Sequence, residues 1–121
     1  MRRTLLLLGV LGTGCSPPAP TAVAVELACA PEASALRQRC LVRVTDRKSG
    51  RPVNGATVTL HADMPSMPLV HSVRPVTAAP GPAAGTYAGT LELEMAGRWV
   101  VAVRIGGPVT DQLTRTLDVN P

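Results

Sequence analysis

The chain has 121 residues, with 12 lysines and arginines, 8 aspartates and glutamates, three cysteines, one Trp, one Tyr and no Phe. This length allows one domain and leaves no room for a catalytic domain beside a separate binding domain. The richness in valine and threonine argues against a helical bundle, and the scarcity of aromatic residues argues against a nucleic-acid module that stacks bases on rings.

The first 14 residues have the pattern of an export signal. Arg2 and Arg3 precede an apolar run over residues 4–14, which ends in the small residues GTG. A basic start, a short apolar stretch and small residues at the cut are typical of a secretory signal peptide. A membrane span takes about 20 residues, so the run is too short to be one. We therefore expect residues 1–14 to be a signal peptide and the mature chain to be extracytoplasmic.

Residue 15 is a cysteine at the expected cleavage point. The segment GTGC resembles the lipobox of bacterial lipoproteins, which predicts a lipid on Cys15 that anchors the protein to a membrane without crossing it. The competing interpretation is ordinary signal cleavage near Gly14, with no lipid. Residues 15–21 are proline-rich and predict a tether of about 20 Å, at roughly 3.1 Å per residue. In a Gram-negative cell, Ser16 after the cysteine favours the outer membrane and the periplasm.

Removing the signal peptide changes the charge balance. Without Arg2 and Arg3, 10 basic and 8 acidic residues remain, so the net charge falls from +4 to +2. Most of the basic residues between positions 37 and 51 alternate with apolar ones or lie in a turn, as on a solvated strand face. We therefore expect no nucleic-acid partner. The expected partners are a membrane, through the lipid, and an envelope protein.

Seven segments of the mature chain have the composition of strands and are bounded by turn residues. They are residues 22–29, 40–46, 56–62, 69–76, 86–95, 98–105 and 112–119. Residues 31–39 are expected to contain one helical turn, and residues 77–85 to form a loop. Pro68 and Pro75 are expected to confine the fourth strand to a sheet edge. The pattern predicts an all-β domain over residues 22–121, an immunoglobulin-like antiparallel β-sandwich of about seven strands.

The alternation also predicts the core, because every second residue of a strand points to the same face. The residues expected to face inward are Val58, Leu60 and Ala62, then Tyr87, Leu91, Leu93 and Met95, then Trp99, Val101, Val103 and Ile105. With one Trp and no Phe, this core is mostly aliphatic and buries a modest area.

Cys29 and Cys40 remain as a pair if Cys15 carries lipid. Both are expected to point inward at the facing ends of two adjacent strands, so a disulfide is expected in an exported protein. Closing that loop would stabilise the fold by about 2 to 3 kcal/mol. The alternative is a redox or metal-binding dithiol, although the ten-residue spacing is not a C-x-x-C motif.

The window HADMPSMPLVH, residues 61–71, holds both histidines and two of the three methionines outside the signal. A tight turn with Met64 first and Pro65 second would bring the Cα atoms of Met64 and Met67 within about 7 Å of each other. Thioethers and imidazole suit copper(I), so Met64, Met67 and His71 are the candidate ligands, with His61 as a fourth. The competing interpretation is that the methionines fill the open end of a sandwich.

Motifs for catalysis are not found in the sequence. His61 and His71 are accompanied by no nucleophile in an elbow motif, and no glycine-rich phosphate loop is present. Glu92 and Glu94 share a strand face, where paired acids usually serve solvation. We therefore expect a protein that is not an enzyme and has no cofactor, copper excepted.

Three segments occur in a characteristic order: GRPVNGATVTL, then MPSM, then GTYAGTLELEMAGRW followed by the alternating strand VVAVRI. This order resembles the YtkA-like domain and its relative FixH over about residues 38–105. The resemblance implies a small extracytoplasmic β-sandwich, often attached to a membrane. FixH-type proteins are associated with the assembly of copper-containing oxidases. By position, Met64 and Met67 match the loop methionines of the family, whereas Tyr87, Met95, Gly97 and Trp99 match its structural core.

Two functions are therefore expected for this chain. The first is a lipid-anchored YtkA-like protein that binds copper through its Met/His loop. The second is a non-catalytic structural or interaction module of the cell envelope that binds no metal.

Overall fold

The computed structural model describes residues 22–67 and 72–120. Within those ranges the chain forms seven strands: β1 (Val23–Glu32), β2 (Ser34–Asp46), β3 (Thr57–Asp63), β4 (Ser72–Pro80), β5 (Thr86–Glu92), β6 (Gly97–Gly106) and β7 (Asp111–Val119). The described residues include no helix long and apolar enough to span a bilayer. The expected signal peptide, Cys15 and the tether lie outside the described residues.

The strands pair antiparallel in the order β1-β2-β5-β4-β3-β6-β7. β1, β2 and β5 form one layer, and β3, β6 and β7 form the other. β4 joins the two layers, since it pairs with β3 along most of its length and with β5 at Ala79–Ala88 and Pro80–Tyr87. This pairing order is that of a constant-type immunoglobulin domain, in which the first, second, fifth and fourth strands form one sheet and the third, sixth and seventh form the other. The prediction of an all-β antiparallel sandwich is confirmed.

The core lies between the two layers and is built as the alternation predicts. Side chains from the inner faces of four strands are buried together: Cys40, Val42 and Val44 of β2, Val58, Leu60 and Ala62 of β3, Tyr87 and Leu91 of β5, and Trp99, Val101, Val103 and Ile105 of β6. Their intervening neighbours on these strands are exposed or half-buried. Burial of one face of each strand therefore fixes its register.

The prediction of a helical turn in residues 31–39 is wrong. β1 continues to Glu32, and β2 begins at Ser34, so the segment forms a tight hairpin around Ala33 with a φ of +67°. Glu, Ala, Leu and Arg are good helix formers, but propensity is a weak prior. Here cross-strand pairs such as Ala30–Arg39 and Pro31–Gln38 decide the structure instead.

The predicted disulfide is confirmed within the same hairpin. Cys29 and Cys40 lie directly opposite each other in the β1–β2 ladder, and their sulfurs are 2.08 Å apart. Cys40 is fully buried in the core, and Cys29 packs against it. The pair is therefore a structural link between two neighbouring strands.

The fourth strand differs from the prediction in extent and position. It continues to Pro80, where a loop was expected from residue 77, and it pairs on both sides, where an edge strand was expected. Arg74 and Pro75 lie opposite the single residue His61, at a register shift in the β3–β4 ladder. A proline lacks the N–H that a regular ladder uses, so a bulge accommodates Pro75 inside the sheet.

One end of the sandwich is held by contacts between the GRPVNGA and GTY segments. Gly85 donates its N–H to Asn54 Oδ1 at 2.8 Å. A Cβ on Gly85 would lie 2.6 Å from Cβ of Pro52, and its φ of +71° is left-handed. Only glycine fits this approach of two backbones. The start of β1 lies at the same end, where the carbonyl of Ala22, the residue before β1, accepts the N–H of Arg47 at 3.0 Å. We call this the N-terminal end.

Candidate functional site

The two loop methionines form the turn that the sequence predicts. Met67 donates its N–H to the Met64 carbonyl at 3.1 Å, with Pro65 and Ser66 as the central residues of a β-turn. Proline at the second position favours this turn because its φ is already fixed. Met64 is buried, with 4 % of its surface exposed, and Met67 is half-buried against the core. The turn thus places one thioether inside the sandwich and the other at its margin.

Met64 is held against the start of β6. A Cβ added to Gly97 would lie 2.7 Å from the terminal methyl carbon of Met64, the one atom of the described residues within 4 Å of that position apart from Gly97 and its two chain neighbours. Gly97 has a φ of +140°, where side chains are disfavoured. The glycine therefore provides the space in which the Met64 methyl group lies.

Met95 is not in the core, and this part of the prediction is wrong. It is 36 % exposed, one of two large hydrophobic residues that are exposed in the described part of the chain. The alternation that would turn it inward stops, because β5 ends at Glu92 and residues 94–96 bend. Leu93 is still buried, and its N–H donates to the Leu36 carbonyl at 2.8 Å.

The backbone of Met95 is nevertheless fixed. The indole Nε1 of Trp99 donates to the Met95 carbonyl at 3.0 Å, and Trp99 itself is fully buried. Because Met95 lies two residues before Gly97, which contacts Met64, all three methionines of the sandwich occur at one end of it. We call this the methionine end: the Met64–Met67 turn, the bend at residues 94–96 and the hairpin turn at Ala33.

His61, one of the two candidate histidines, is not brought to the methionines. His61 lies on β3 at an odd position, so it points to the face opposite Leu60, Ala62 and the inward-facing Met64. Its Nδ1 is 3.2 Å from Asp63 Oδ2 on the same outer face. His71 lies outside the described residues.

His61 faces a shallow cavity on the outer surface of the β4-β3-β6-β7 layer. Its volume is about 260 Å³, and it is lined by Thr59, His61, Pro75, Ala102, Arg104 and Gln112. Ala102 pairs directly with His61 on β6, and its small side chain leaves room there. The cavity and the methionine end are therefore separate features, on the outside and at one end of the sandwich.

The donor chemistry at the methionine end is thioether sulfur. Among residues 22–67 and 72–120, no group of three or more His, Cys, Asp or Glu side chains could hold a metal ion. Both cysteines of these ranges are in the disulfide. Any metal held by the described methionines would therefore be a soft ion such as copper(I).

Sequence reasoning identified Met64 and Met67 but missed Met95 and Gly97 as neighbours of the candidate site. The signal was present in the order E-M-A-G-R-W, since Ala96–Gly97 marks a turn. A turn that begins before Met95 frees that residue from the strand's alternation. Whether Met95 faces the core depends on where β5 ends, and the alternation of apolar residues does not reveal that position.

The comparison with known families gives one finding. A family model described as YtkA-like matches residues 19–104, which covers β1 to most of β6 and all three methionines of the sandwich. No curated protein and no solved structure matches the chain.

Proposed function

The chain belongs to the YtkA-like family, and on that basis we propose that it is an extracytoplasmic, lipid-anchored β-sandwich protein that binds copper(I) in metal handling. The proposed ligands are Met64, Met67 and His71. The observation that carries the proposal is the turn in which the Met67 N–H meets the Met64 carbonyl at 3.1 Å, since it holds the backbones of two methionines, three positions apart in the sequence, close together.

The chemistry of the site favours copper(I) over harder ions. Thioether sulfur is a soft ligand that binds copper(I) and offers little to zinc or magnesium. Met64 is almost fully buried, so metal binding requires its side chain to swing outward from Gly97. Methionine has flexible side-chain torsions that permit this movement. The expected binding is therefore weak and reversible, which suits a protein that passes copper on.

His61 is left out of this ligand set. It points to the outer face of β3 and lies beside Asp63, whereas Met64 points inward. Reaching the methionines would require His61 to cross its own strand.

The proposed extracytoplasmic location is supported by two features of the sequence and one of the structure. The signal pattern and Cys15 predict export and lipid attachment. The Cys29–Cys40 disulfide supports export, because thiols in the cytosol are kept reduced.

We infer an orientation for the anchored protein from the end of the sandwich at which the tether would attach. The tether would enter at the N-terminal end, where Ala22 is bonded to Arg47. The methionine end lies at the other end of ten-residue β1, about 30 Å away at roughly 3.4 Å per residue. A lipid on Cys15 would therefore place the methionines on the side of the domain that faces away from the membrane, where a soluble or opposite partner can reach them.

A competition titration tests the copper proposal. Copper(I) is partitioned between a chromophoric chelator and residues 22–121, without oxygen, and compared with the Met64→Leu/Met67→Leu double variant. Leucine keeps the volume of methionine and removes the sulfur, so the core stays filled. We expect the unaltered domain to compete and the double variant to lose that ability. Equal competition by both, or none by either, would contradict the proposal.

A structural or interaction module without metal is the second candidate. The burial of Met64 and the packing of Met67 against the core favour it, since methionine commonly fills irregular gaps. This candidate predicts that the leucine double variant folds, keeps its stability and binds an envelope partner unchanged, and that copper(I) has no effect on either protein.

A further inference from the structure

We infer that Met95 supplies a third sulfur to the proposed copper site, so that the methionine end binds copper(I) through Met64, Met67 and Met95. This inference rests on the proposed function and adds a ligand that the sequence assigns to the core. All ligands of the site that lie in the described residues would then be thioether sulfurs.

The placement of Met95 relative to Met64 carries the inference. Consecutive Cα atoms are about 3.8 Å apart, so the Cα of Met95 lies within about 7 Å of that of Gly97. Gly97 is in turn in van der Waals contact range of the Met64 methyl group, as the 2.7 Å approach to its missing Cβ shows. A methionine side chain is long and flexible enough to bridge such a gap. The sulfurs of Met64 and Met95 can therefore reach a common ion.

Met95 combines a fixed backbone with an available side chain. Its carbonyl accepts the Trp99 indole N–H at 3.0 Å, and Trp99 is immobilised in the core. Its side chain is 36 % exposed, and Leu41 is the only other large hydrophobic side chain of the described ranges that is exposed to this degree. Binding to a metal ion would account for this exposure.

The three methionines also differ in depth, which suggests how an ion would enter. Met95 is exposed, Met67 is half-buried and Met64 is buried. An arriving ion would meet Met95 at the surface, and Met64 would complete the site as it moves away from Gly97. Three thioethers without a carboxylate select copper(I) and its analogue silver(I) over zinc(II).

Methionine methyl resonances provide a direct test. The full chain carries Cys15→Ser in every arm, so that no free thiol competes, and its methionine methyl groups are labelled with carbon-13. Silver(I) serves as the probe because it needs no reductant and leaves the disulfide intact. We expect one equivalent of silver(I) to shift the methyl signals of Met64, Met67 and Met95 together, and zinc(II) to shift none of them.

Variants separate this inference from the proposal on which it rests. Met95→Leu should weaken silver(I) binding at least about tenfold, the scale on which loss of a metal-site group acts. His61→Gln, the matched control on the outer face of β3, should bind as the parent does. If Met64 and Met67 shift while Met95 does not, or if Met95→Leu binds as tightly as the parent, Met95 is not a ligand and the two-methionine proposal stands. If no methyl signal shifts, both fail.

Trp99 gives a second readout of the same event. It is the chain's single tryptophan and is hydrogen-bonded to the Met95 backbone, so its fluorescence reports on that residue. We expect silver(I) to change the emission in the parent, and the Met95→Leu variant to require at least about tenfold more silver(I) for the same change. An identical titration curve in the two proteins would overturn the role of Met95.

Discussion

The hydroxyl of Tyr87 donates a hydrogen bond to the Val53 carbonyl at 2.7 Å, and thereby joins β5 to the loop that precedes β3. The same oxygen accepts the N–H of Ala56 at 3.1 Å. One buried phenol therefore satisfies two backbone groups of a loop 31 to 34 residues away in the chain. The segments GRPVNGA and GTY are therefore in contact in the fold.

Tyr87→Phe should lower the free energy of unfolding by about 1 to 3 kcal/mol, because it leaves two part-buried backbone groups without their partner. Urea denaturation measures the change. Thr116→Val, which alters an exposed hydroxyl on β7, is the control and should stay within about 0.5 kcal/mol of the parent. A Tyr87→Phe protein as stable as that control would show that the phenol does not hold the loop.

Gly97→Ala should destabilise the fold by about 1 to 3 kcal/mol, because alanine is strained at a φ of +140° and its methyl group would also displace the terminal methyl of Met64. Gly106 lies on the same strand, its φ is not left-handed, and a Cβ there would meet no described atom within 4 Å beyond its chain neighbours, so Gly106→Ala should leave the free energy of unfolding within about 0.5 kcal/mol of the parent. Thermal or urea unfolding compares the two.

The contact between Gly97 and Met64 can be isolated with a double-mutant cycle. In a Met64→Ala background the Gly97→Ala change should cost less than it does alone, because the overlapping methyl group is gone. An equal cost in both backgrounds would assign the effect to the backbone conformation of Gly97 and not to Met64.

Loss of the Cys29–Cys40 bond should lower the free energy of unfolding by about 2 to 3 kcal/mol, since the link restricts the unfolded chain. The Cys29→Ala/Cys40→Ala variant and the parent are unfolded in urea with and without a reductant. The parent should weaken on reduction, and the variant should not respond. A parent that resists reductant with unchanged stability while its thiols become titratable would contradict this role.

Asp46 should make the stability depend on pH in the acid range. Its carboxylate accepts N–H bonds from Ser49 and Lys48, both at 2.9 Å, and these bonds hold its pKa below the ordinary value of 3.8. A carboxyl with a lower pKa in the folded state stabilises the fold above its unfolded pKa, and this contribution is lost as the pH falls through the folded pKa. The parent should therefore be more stable than Asp46→Asn at neutral pH.

Below pH 3.8 that difference should shrink towards zero as the carboxyl of Asp46 becomes protonated in the folded protein too. Urea unfolding of both proteins across this range measures it. A difference that is the same at neutral and acid pH would show that the hydrogen bonds to Asp46 do not depend on its charge.

Much of this fold follows from local sequence. The alternation of apolar and polar residues predicted correctly that Leu60, Leu91 and Trp99 are buried. A shift of one residue would turn the apolar side chains of a strand to solvent, so one register is strongly favoured. The parity of Cys29 and Cys40 predicted their disulfide for the same reason. The Met64–Met67 turn was predictable because Pro65 favours the second position of a β-turn, which involves only four consecutive residues.

The features that the sequence did not predict depend on contacts between distant residues. The hairpin around Ala33 forms because β1 and β2 pair along their whole length, which overrides the helical propensity of its residues. Pro75 enters the sheet because a bulge opposite His61 receives it. Met95 is exposed because β5 ends at Glu92, at a point set by the Leu93–Leu36 bond and by Trp99. Each of these is decided by a partner that local pattern does not reveal.

The lipid anchor can be tested independently of the metal. Cys15→Ser should move the protein from the membrane fraction to the soluble extracytoplasmic fraction, because a single polar side chain cannot replace acyl chains in the bilayer. Cell fractionation with immunodetection measures the shift. A parent protein that is already soluble would favour ordinary signal cleavage near Gly14.

X-ray absorption at the copper edge tests the central claim, copper(I) binding at the methionine end, most directly. The protein carries Cys15→Ser, so that no free thiol supplies sulfur; it is loaded with one equivalent of copper(I) and compared with the Met64→Leu/Met67→Leu variant in the same background. We predict that the parent shows sulfur as the main neighbour of copper and that the variant loses this sulfur signal. A parent spectrum with only nitrogen and oxygen neighbours, or the same sulfur signal in both proteins, would contradict the account.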